Sequence, residues 1–217
     1  MTELSKVSTA EVYRYMGFRD EIPEIHIREM TEKIINELAE VASPRFLCKD
    51  TDLKITDNKV EFSGFIVDSK NLAAHLRDCQ GGVIFAATLG SSVDMLIYKY
   101  SMISPAKAVA AQSAASAMIE MYADELCEEY SGELANNGLN LTPRFSPGYG
   151  DFPLEHQKDI LRVLDAEKTI GLCVTDSDML TPVKSITAVM GKTKIKYDCK
   201  SNKCHRCLNT GCAYRKE

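Results

Sequence analysis

The longest regular segment of this chain is a predicted helix over residues 105–130. It begins with Pro105, which suits the first turn of a helix, and contains no later proline or glycine. Apolar residues at helical spacing predict one buried stripe, formed by Ala115, Met118, Tyr122 and Leu126. A neighbouring face carries Glu120 among small side chains, which allow other segments to approach. The pattern alone favours a solvated Glu120, because glutamate is usually exposed.

Shorter segments with helical or alternating patterns surround this helix. Helices are predicted over residues 9–18, from Pro23 to Pro44, from Ser69 to residue 78, over residues 92–100 and after Asp151. Strands are predicted over residues 52–56, 59–63, 65–67, 83–88 and 169–175, and a final hairpin over 185–190 and 193–197. The predicted fold is therefore α+β, with a mixed or antiparallel sheet and long helices, over residues 1–195. Residues 196–217 form a separate cysteine-rich tail.

Charge and hydropathy exclude several classes of protein. The 217 residues carry a net charge of -5 and the pI is about 5.5, which argues against a general nucleic-acid binder. No apolar run is long enough for a transmembrane helix, and the polar N-terminus does not resemble a signal peptide. A cytoplasmic protein is the expectation.

The eight cysteines divide into two groups. Four are scattered singly among apolar segments, and most of them are expected to behave as small buried hydrophobes: Cys48, Cys79, Cys127 and Cys173. The other four follow a C-x4-C-x2-C-x4-C pattern in the tail: Cys199, Cys204, Cys207 and Cys212. Close spacing in a cytosolic chain favours a metal site over disulfides. The spacing alone leaves tetrahedral zinc and an iron–sulfur cluster equally open.

Residues 144–150 form a second distinctive motif, with the sequence Arg-Phe-Ser-Pro-Gly-Tyr-Gly. Arg144 offers a planar set of donors suited to a carboxylate. Pro147 stiffens the loop, and Gly148 permits a turn and the close approach of a ligand. The Tyr149 ring can lie against a flat or cationic group. The motif predicts a pocket wall for a small zwitterion, and an ordinary rigid surface turn is the equal alternative.

The order of these motifs resembles the reactivation domain of cobalamin-dependent methionine synthase, here as a free-standing protein. The resemblance extends from the segment Phe85–Gly90 to about Gly191. It rests on the long helix with Glu120, the loop from Arg144 to Tyr149, and a later stretch that reads Thr175-Asp176-Ser177-x-Met179-x-x-Pro182. The family binds S-adenosylmethionine, and the resemblance carries its ligand contacts onto Glu120, Arg144, Pro147, Gly148 and Tyr149.

The resemblance implies a function in reductive reactivation of a cobalamin-dependent methyltransferase. S-adenosylmethionine would remethylate Co(I) cobalamin on a partner, either the cobalamin-binding methionine synthase or another corrinoid protein. Flavodoxin or ferredoxin would donate the electron, and this redox role favours an iron–sulfur cluster in the tail. The chain would then be an accessory component with no catalytic side chain of its own. Two alternatives stay open: a non-catalytic module that binds S-adenosylmethionine and zinc, and a reductive activator of another corrinoid protein.

Overall fold

The computed structural model describes residues 3–18 and 21–196. Over these residues the chain has the predicted α+β architecture, built from seven α-helices, nine strands and two short 3-10 turns. The helices are α1 (Thr9–Tyr15), α2 (Ile25–Val41), α3 (Lys70–Leu76), α4 (Ser91–Ile103), α5 (Pro105–Ala135), α6 (Gln157–Leu164) and α7 (Ala166–Ile170). The strands are β1 (Arg45–Thr51), β2 (Leu53–Thr56), β3 (Lys59–Phe62), β4 (Phe65–Asp68), β5 (Cys79–Thr88), β6 (Asn140–Leu141), β7 (Cys173–Val174), β8 (Leu180–Thr181) and β9 (Ser185–Thr193).

A four-stranded antiparallel sheet is the centre of the fold, with the strand order β1-β5-β9-β6. Strand β5 is a continuous apolar run because both of its faces are covered, and eight of its residues are buried in succession. It pairs with β9 along almost its whole length, from Thr88 opposite Ser185 to Cys79 opposite Thr193. The strands β2, β3 and β4 form a separate three-stranded meander, and β7 pairs only with β8.

The central sheet separates two apolar cores, because successive side chains of a strand point to opposite faces. Phe85 and Met190 belong to the core that is shared with α2, α4 and α5. Ile84 and Val189 belong to the other core, which includes the meander, α3 and α6. Helix α5 packs against α1, α2 and α4. Its close packing is possible because many of its buried residues are small, including Ala110, Ala111, Ala114 and Ala115.

Local signals in the sequence account for several element boundaries. The Ser69 hydroxyl accepts a hydrogen bond from the Leu72 amide at 3.0 Å and caps α3 as predicted. Asp57 has a φ of 54° in the tight turn between β2 and β3. Ser8 likewise caps α1, because its hydroxyl accepts from the Glu11 amide. None of the helices among the described residues is long and apolar enough to cross a membrane.

Three sequence-based predictions of elements need correction. Strand β1 was not predicted at all. The predicted strand over residues 169–175 is wrong in its first half, since α7 extends to Ile170 and only Cys173–Val174 is extended. The predicted final hairpin is also wrong, because β9 runs straight through Gly191. Glycine is required there for close approach rather than for a turn, since a Cβ atom at Gly191 would collide with the Cys79 sulfur.

Candidate functional site

The backbone around Arg144 is attached to the edge of the central sheet. Strand β6 pairs with β9 through Leu141 opposite Lys192, and the following Thr142 amide donates to the Gly191 carbonyl at 2.9 Å. Further on, Phe145 and Val189 exchange two backbone hydrogen bonds of 3.0 and 2.9 Å. Arg144 lies between these attachments, so its position is set by the sheet.

The Arg144 side chain crosses from the sheet edge to α5 and is only 6% exposed. Its Nη2 atom lies 2.6 Å from Glu120 Oε2 and 3.0 Å from Asp124 Oδ1. Its Nη1 atom donates to Cys127 Sγ at 3.9 Å. Glu120, Asp124 and Cys127 are spaced by four and three residues, so they share one face of α5. These four side chains form the Arg144 cluster.

The Arg144 cluster contains one cationic and two anionic side chains. Burial is the largest single effect and lowers the pKa of the Arg144 guanidinium, but Asp124, Glu120 and Cys127 together raise it, so the net direction is upward and the group stays cationic. The side chains of Glu120 and Asp124 are 45% and 55% exposed. The cation is therefore covered and the two carboxylates face solvent. Two negative charges against one positive charge make this surface anionic.

An aromatic side chain from α1 borders the same surface. Burial raises the pKa of Tyr15, and the negative charge of Glu120 raises it further, which places the phenol within electrostatic reach of that carboxylate. The Arg14 guanidinium lies 4.5 Å from the centre of the Tyr15 ring. Glu11 pairs with Arg14 at 2.6 Å. Tyr15 thus lies near Glu120, and Arg14 and Glu11 lie beside Tyr15 on α1.

The turn over residues 146–150 displays Tyr149 at the surface. Gly148 and Gly150 have φ angles of 88° and 56°, a region that favours glycine. The Gly148 amide donates to the Phe152 carbonyl at 2.8 Å, and the Tyr149 amide donates to the Ser146 carbonyl at 3.1 Å. The Tyr149 ring is 63% exposed and meets the Phe145 ring edge-on, with 6.2 Å between the ring centres. An exposed ring on a hydrogen-bonded turn is suited to stacking against a ligand.

The carboxylate of Asp151 ties this turn to α3. It accepts hydrogen bonds from the Ser69 hydroxyl, from the Lys70 amide at 2.9 Å and from the Asn71 amide at 3.1 Å. A Cβ atom at Gly150 would collide with the Asn71 amide group, so glycine is needed at this contact. The turn is therefore fixed at both ends, by β9 before it and by α3 after it.

The structure brings some of the predicted site residues together and keeps others apart. Glu120 and Arg144 form a direct ion pair, so Glu120 is partnered rather than simply solvated. Pro147, Gly148 and Tyr149 form the turn that follows in sequence, where the Tyr149 ring contacts Phe145, a residue that packs on the core opposite α5. The four tail cysteines, Cys199, Cys204, Cys207 and Cys212, lie outside the described residues. Within residues 3–18 and 21–196 there is no group of three or more His, Cys, Asp or Glu side chains suited to a metal ion.

Sequence reasoning did not identify Asp124, Cys127 or Asp151 as neighbours of this site. A signal for the first two was present, since they follow Glu120 at four and seven residues on the same predicted helix. Asp151 was interpreted only as the start of the next helix. Its contact with α3 joins segments about eighty residues apart and has no local signature.

Of the comparisons with known proteins, the comparison of structures found a match, and the two comparisons of sequences did not. No protein-family model matches the chain, and no curated protein matches it. Among solved structures, the chain is similar to the MetH reactivation domain bound to S-adenosylhomocysteine (AdoHcy), with a TM-score of 0.65 and 15% sequence identity. The match covers 88% of this chain and 76% of that one. The predicted fold is confirmed: the chain has the fold of the MetH reactivation domain.

Proposed function

We propose that this chain binds S-adenosylmethionine on the surface of the Arg144 cluster and serves as the methyl-donor module in reductive reactivation of a cobalamin-dependent methyltransferase. The observation that carries the proposal is the match over 88% of the chain to a reactivation domain bound to AdoHcy. The Arg144 cluster adds support, because it combines a guanidinium with two exposed carboxylates, and the loop that follows Arg144 carries an exposed tyrosine.

The charge of the surface suits this ligand. S-adenosylmethionine carries an ammonium, a sulfonium and a carboxylate, and so has one positive charge in excess. The Arg144 cluster has one negative charge in excess. We assign Glu120 and Asp124 to the ammonium and sulfonium region, and Arg144 to the carboxylate and to the orientation of both acidic side chains. We assign Pro147, Gly148 and Tyr149, on the turn that follows Arg144, to the adenosyl group.

The chain's contribution to methyl transfer is to bind and orient the donor. The partner's cobalamin would supply the nucleophilic Co(I) that accepts the methyl group. No side chain has to give or take a proton in such a transfer, and binding in a fixed orientation supplies the rate enhancement. When the methyl group leaves, the sulfur loses its positive charge. The anionic surface then holds the neutral product less strongly than the donor, which favours product release.

The tail would give this module an electron relay. We propose that Cys199, Cys204, Cys207 and Cys212 hold an iron–sulfur cluster, with flavodoxin or ferredoxin as the electron donor; zinc is the alternative. An anaerobic absorption spectrum with counts of iron, sulfide and zinc distinguishes the two. A broad band near ~400 nm that bleaches with dithionite supports the relay. A colourless protein with zinc contradicts it, and the electron then comes directly from outside.

The proposed site is tested with a matched pair of arginine variants. Arg144→Ala removes the buried guanidinium of the cluster, whereas Arg162→Ala removes a 64% exposed guanidinium that pairs with Asp159 on α6. Titration calorimetry with S-adenosylmethionine is expected to show binding about 100-fold weaker for Arg144→Ala, as for other truncated charge pairs, and unchanged for Arg162→Ala. Equal affinity of folded Arg144→Ala and wild type contradicts the site.

The reaction itself is tested by methyl transfer under anaerobic conditions. The complete chain, S-adenosylmethionine with a labelled methyl group, a reductant and a cobalamin-binding methionine synthase module are combined, and label on cobalamin is counted. Transfer that depends on the chain and is lost in Arg144→Ala supports reactivation. Transfer only to an unrelated corrinoid protein would instead support the activator of another corrinoid enzyme.

The same Arg144 cluster fits a second function, a non-catalytic module that senses S-adenosylmethionine. Arg144 is buried and already neutralised by Glu120 and Asp124 within the chain, which is also expected of a structural anchor. A sensor would bind the ligand with the same charge preference and transfer no methyl group. Binding of S-adenosylmethionine without methyl transfer to cobalamin, together with zinc in the tail, would support this second function.

A further inference from the structure

An apolar groove lies between β1 and α5, beside the Arg144 cluster. It has a volume of about 220 Å³, and its apolar wall includes Phe46, Phe85, Leu126 and Met190. Two glutamates one helical turn apart on α5, Glu129 and Glu133, also line it, and both are exposed. They therefore form an acidic rim around an apolar floor. We call this feature the α5 groove.

The α5 groove and the Arg144 cluster share a wall. Cys127 lines the groove, and its sulfur also accepts the 3.9 Å contact from Arg144 Nη1. Along α5, Glu129 is nine residues beyond Glu120, a separation of about 14 Å at the helical rise. Anything seated in the groove therefore lies on the same face of the sheet as the cluster, with its nearest shared side chain at Cys127.

The described part of the chain ends close to this groove. Lys192 is near the end of β9, and its Nζ lies 3.0 Å from Asp50 Oδ2 on β1. The other oxygen of Asp50 accepts a hydrogen bond from the hydroxyl of Tyr130, which lines the groove. Lys192 is thus linked through the single residue Asp50 to Tyr130 in the groove wall. Each further residue of extended chain adds about 3.3 Å, so a basic side chain eight residues later is within reach of the rim.

The segment that continues from this point has a matching composition. Residues 197–217 contain five basic side chains against two acidic ones; the basic ones are Lys200, Lys203, Arg206, Arg215 and Lys216. They also contain apolar side chains suited to the floor of the groove, among them Leu208 and Tyr214. No cation pairs with Glu129 or Glu133 among the ion pairs of the described residues.

We propose that the α5 groove is the docking site of the chain's own C-terminal segment, residues 197–217, with its lysines and arginines on Glu129 and Glu133 and an apolar side chain on the groove floor. Docking there holds the four-cysteine motif on the same side of the central sheet as the Arg144 cluster. Charge complementarity, the position at which β9 ends and the short distance to the rim all favour this occupant. The inference concerns contacts within one chain and holds whether the tail binds zinc or an iron–sulfur cluster.

Zero-length cross-linking of the full chain tests the docking directly. A carbodiimide joins a carboxylate to a lysine only when the two are in contact, and peptide mass spectrometry locates the bond. We expect cross-links from Glu129 or Glu133 to Lys200, Lys203 or Lys216. Glu29 and Glu32 on α2, which are exposed as well, serve as control carboxylates and are expected to give none to the tail. Recovery of Glu129 and Glu133 without tail cross-links overturns the proposal.

Two further measurements distinguish docking within one chain from docking between two copies, and test whether charge holds the tail in place. In a mixture of ¹⁴N- and ¹⁵N-labelled protein, cross-links within a single label support the proposal, whereas cross-links between labels show that a second copy supplies the tail and overturn it. Limited trypsin cleavage at the tail is expected to be faster in Glu129→Lys/Glu133→Lys and unchanged in Glu29→Lys/Glu32→Lys. Equal cleavage in both variants and wild type contradicts the electrostatic contact.

Discussion

Replacing Glu120 by glutamine should weaken binding of S-adenosylmethionine more than binding of AdoHcy. The two ligands differ at one sulfur, which is a cationic sulfonium in the first and a neutral thioether in the second. Glu120→Gln keeps the shape of the side chain and removes one of the two negative charges of the Arg144 cluster. Asp124 remains 3.0 Å from Arg144, so the guanidinium keeps one anionic partner and the fold is expected to persist.

The magnitude follows from the exposure of Glu120. Two unit charges about 4 Å apart interact by about 1 kcal/mol in water and by about 4 kcal/mol near a protein surface of lower dielectric constant. The Glu120 side chain is 45% exposed, which places the interaction toward the lower end, at about 1 to 2 kcal/mol. The dissociation constant of S-adenosylmethionine should then rise by about 5- to 30-fold.

Titration calorimetry of both ligands at low ionic strength gives the decisive ratio. The AdoHcy dissociation constant should change less, because only the ammonium of that ligand still interacts with the cluster. Glu29→Gln on α2 is the control and should change neither constant. If Glu120→Gln weakens both ligands by the same factor, the sulfonium does not lie near Glu120 and the assignment of that carboxylate is refuted.

Three further predictions concern stability and reactivity. Phe152 is 1% exposed in the core opposite α5, so Phe152→Ala should lower the free energy of unfolding in urea by about 3 to 5 kcal/mol; a loss below about 1 kcal/mol would contradict its buried placement. The hydrogen bond from Ser69 lowers the pKa of Asp151, burial opposes it, and the hydrogen bonds from the Asn71 and Lys70 amides add to the lowering. The stabilisation it gives is present above the ordinary pKa near 3.8 and lost as the pH falls through the lowered value, so Asp151→Asn should cost up to about 1 kcal/mol at pH 7 and converge with wild type in acid melts. Burial raises the pKa of the Cys48 thiol to about 12, so iodoacetamide at pH 8 should label it at least about 100-fold more slowly in folded than in unfolded protein, and rapid labelling of folded protein would rule out this burial.

The elements that sequence predicted well have a single clear period or a strong local cap. Helix α5 follows from its apolar stripe and its first-turn proline, and α3 from the cap at Ser69. Strand β1 was missed because neither a period of two nor a continuous apolar run is clear from Arg45 to Thr51. Four of its last five residues are only partly buried or are charged, as expected of a strand at the edge of a sheet.

Close approach between distant segments explains the other errors. The sequence predicts a turn at Gly191, whereas the strand passes straight through it. Glycine is required there because a Cβ atom would collide with Cys79 on the neighbouring strand. Within the site, the sequence supplied Arg144 and the glycine turn from local chemistry, and Glu120 only through resemblance to a family. The ion pair to Asp124 and the bond from Asp151 to α3 depend on the assembled fold. No local pattern encodes these contacts.

Arg144 and Phe145 are consecutive residues, yet their side chains lie on opposite sides of the sheet. Phe145 exchanges two backbone hydrogen bonds with Val189 and packs on the core opposite α5, while Arg144 extends to α5. Attachment of the loop and the ion pairs with α5 are therefore carried by separate side chains on adjacent positions. Arg144 and its partners on α5 can be substituted while the attachment of the loop to β9 is retained. Such an arrangement allows the surface of α5 to vary without refolding the loop.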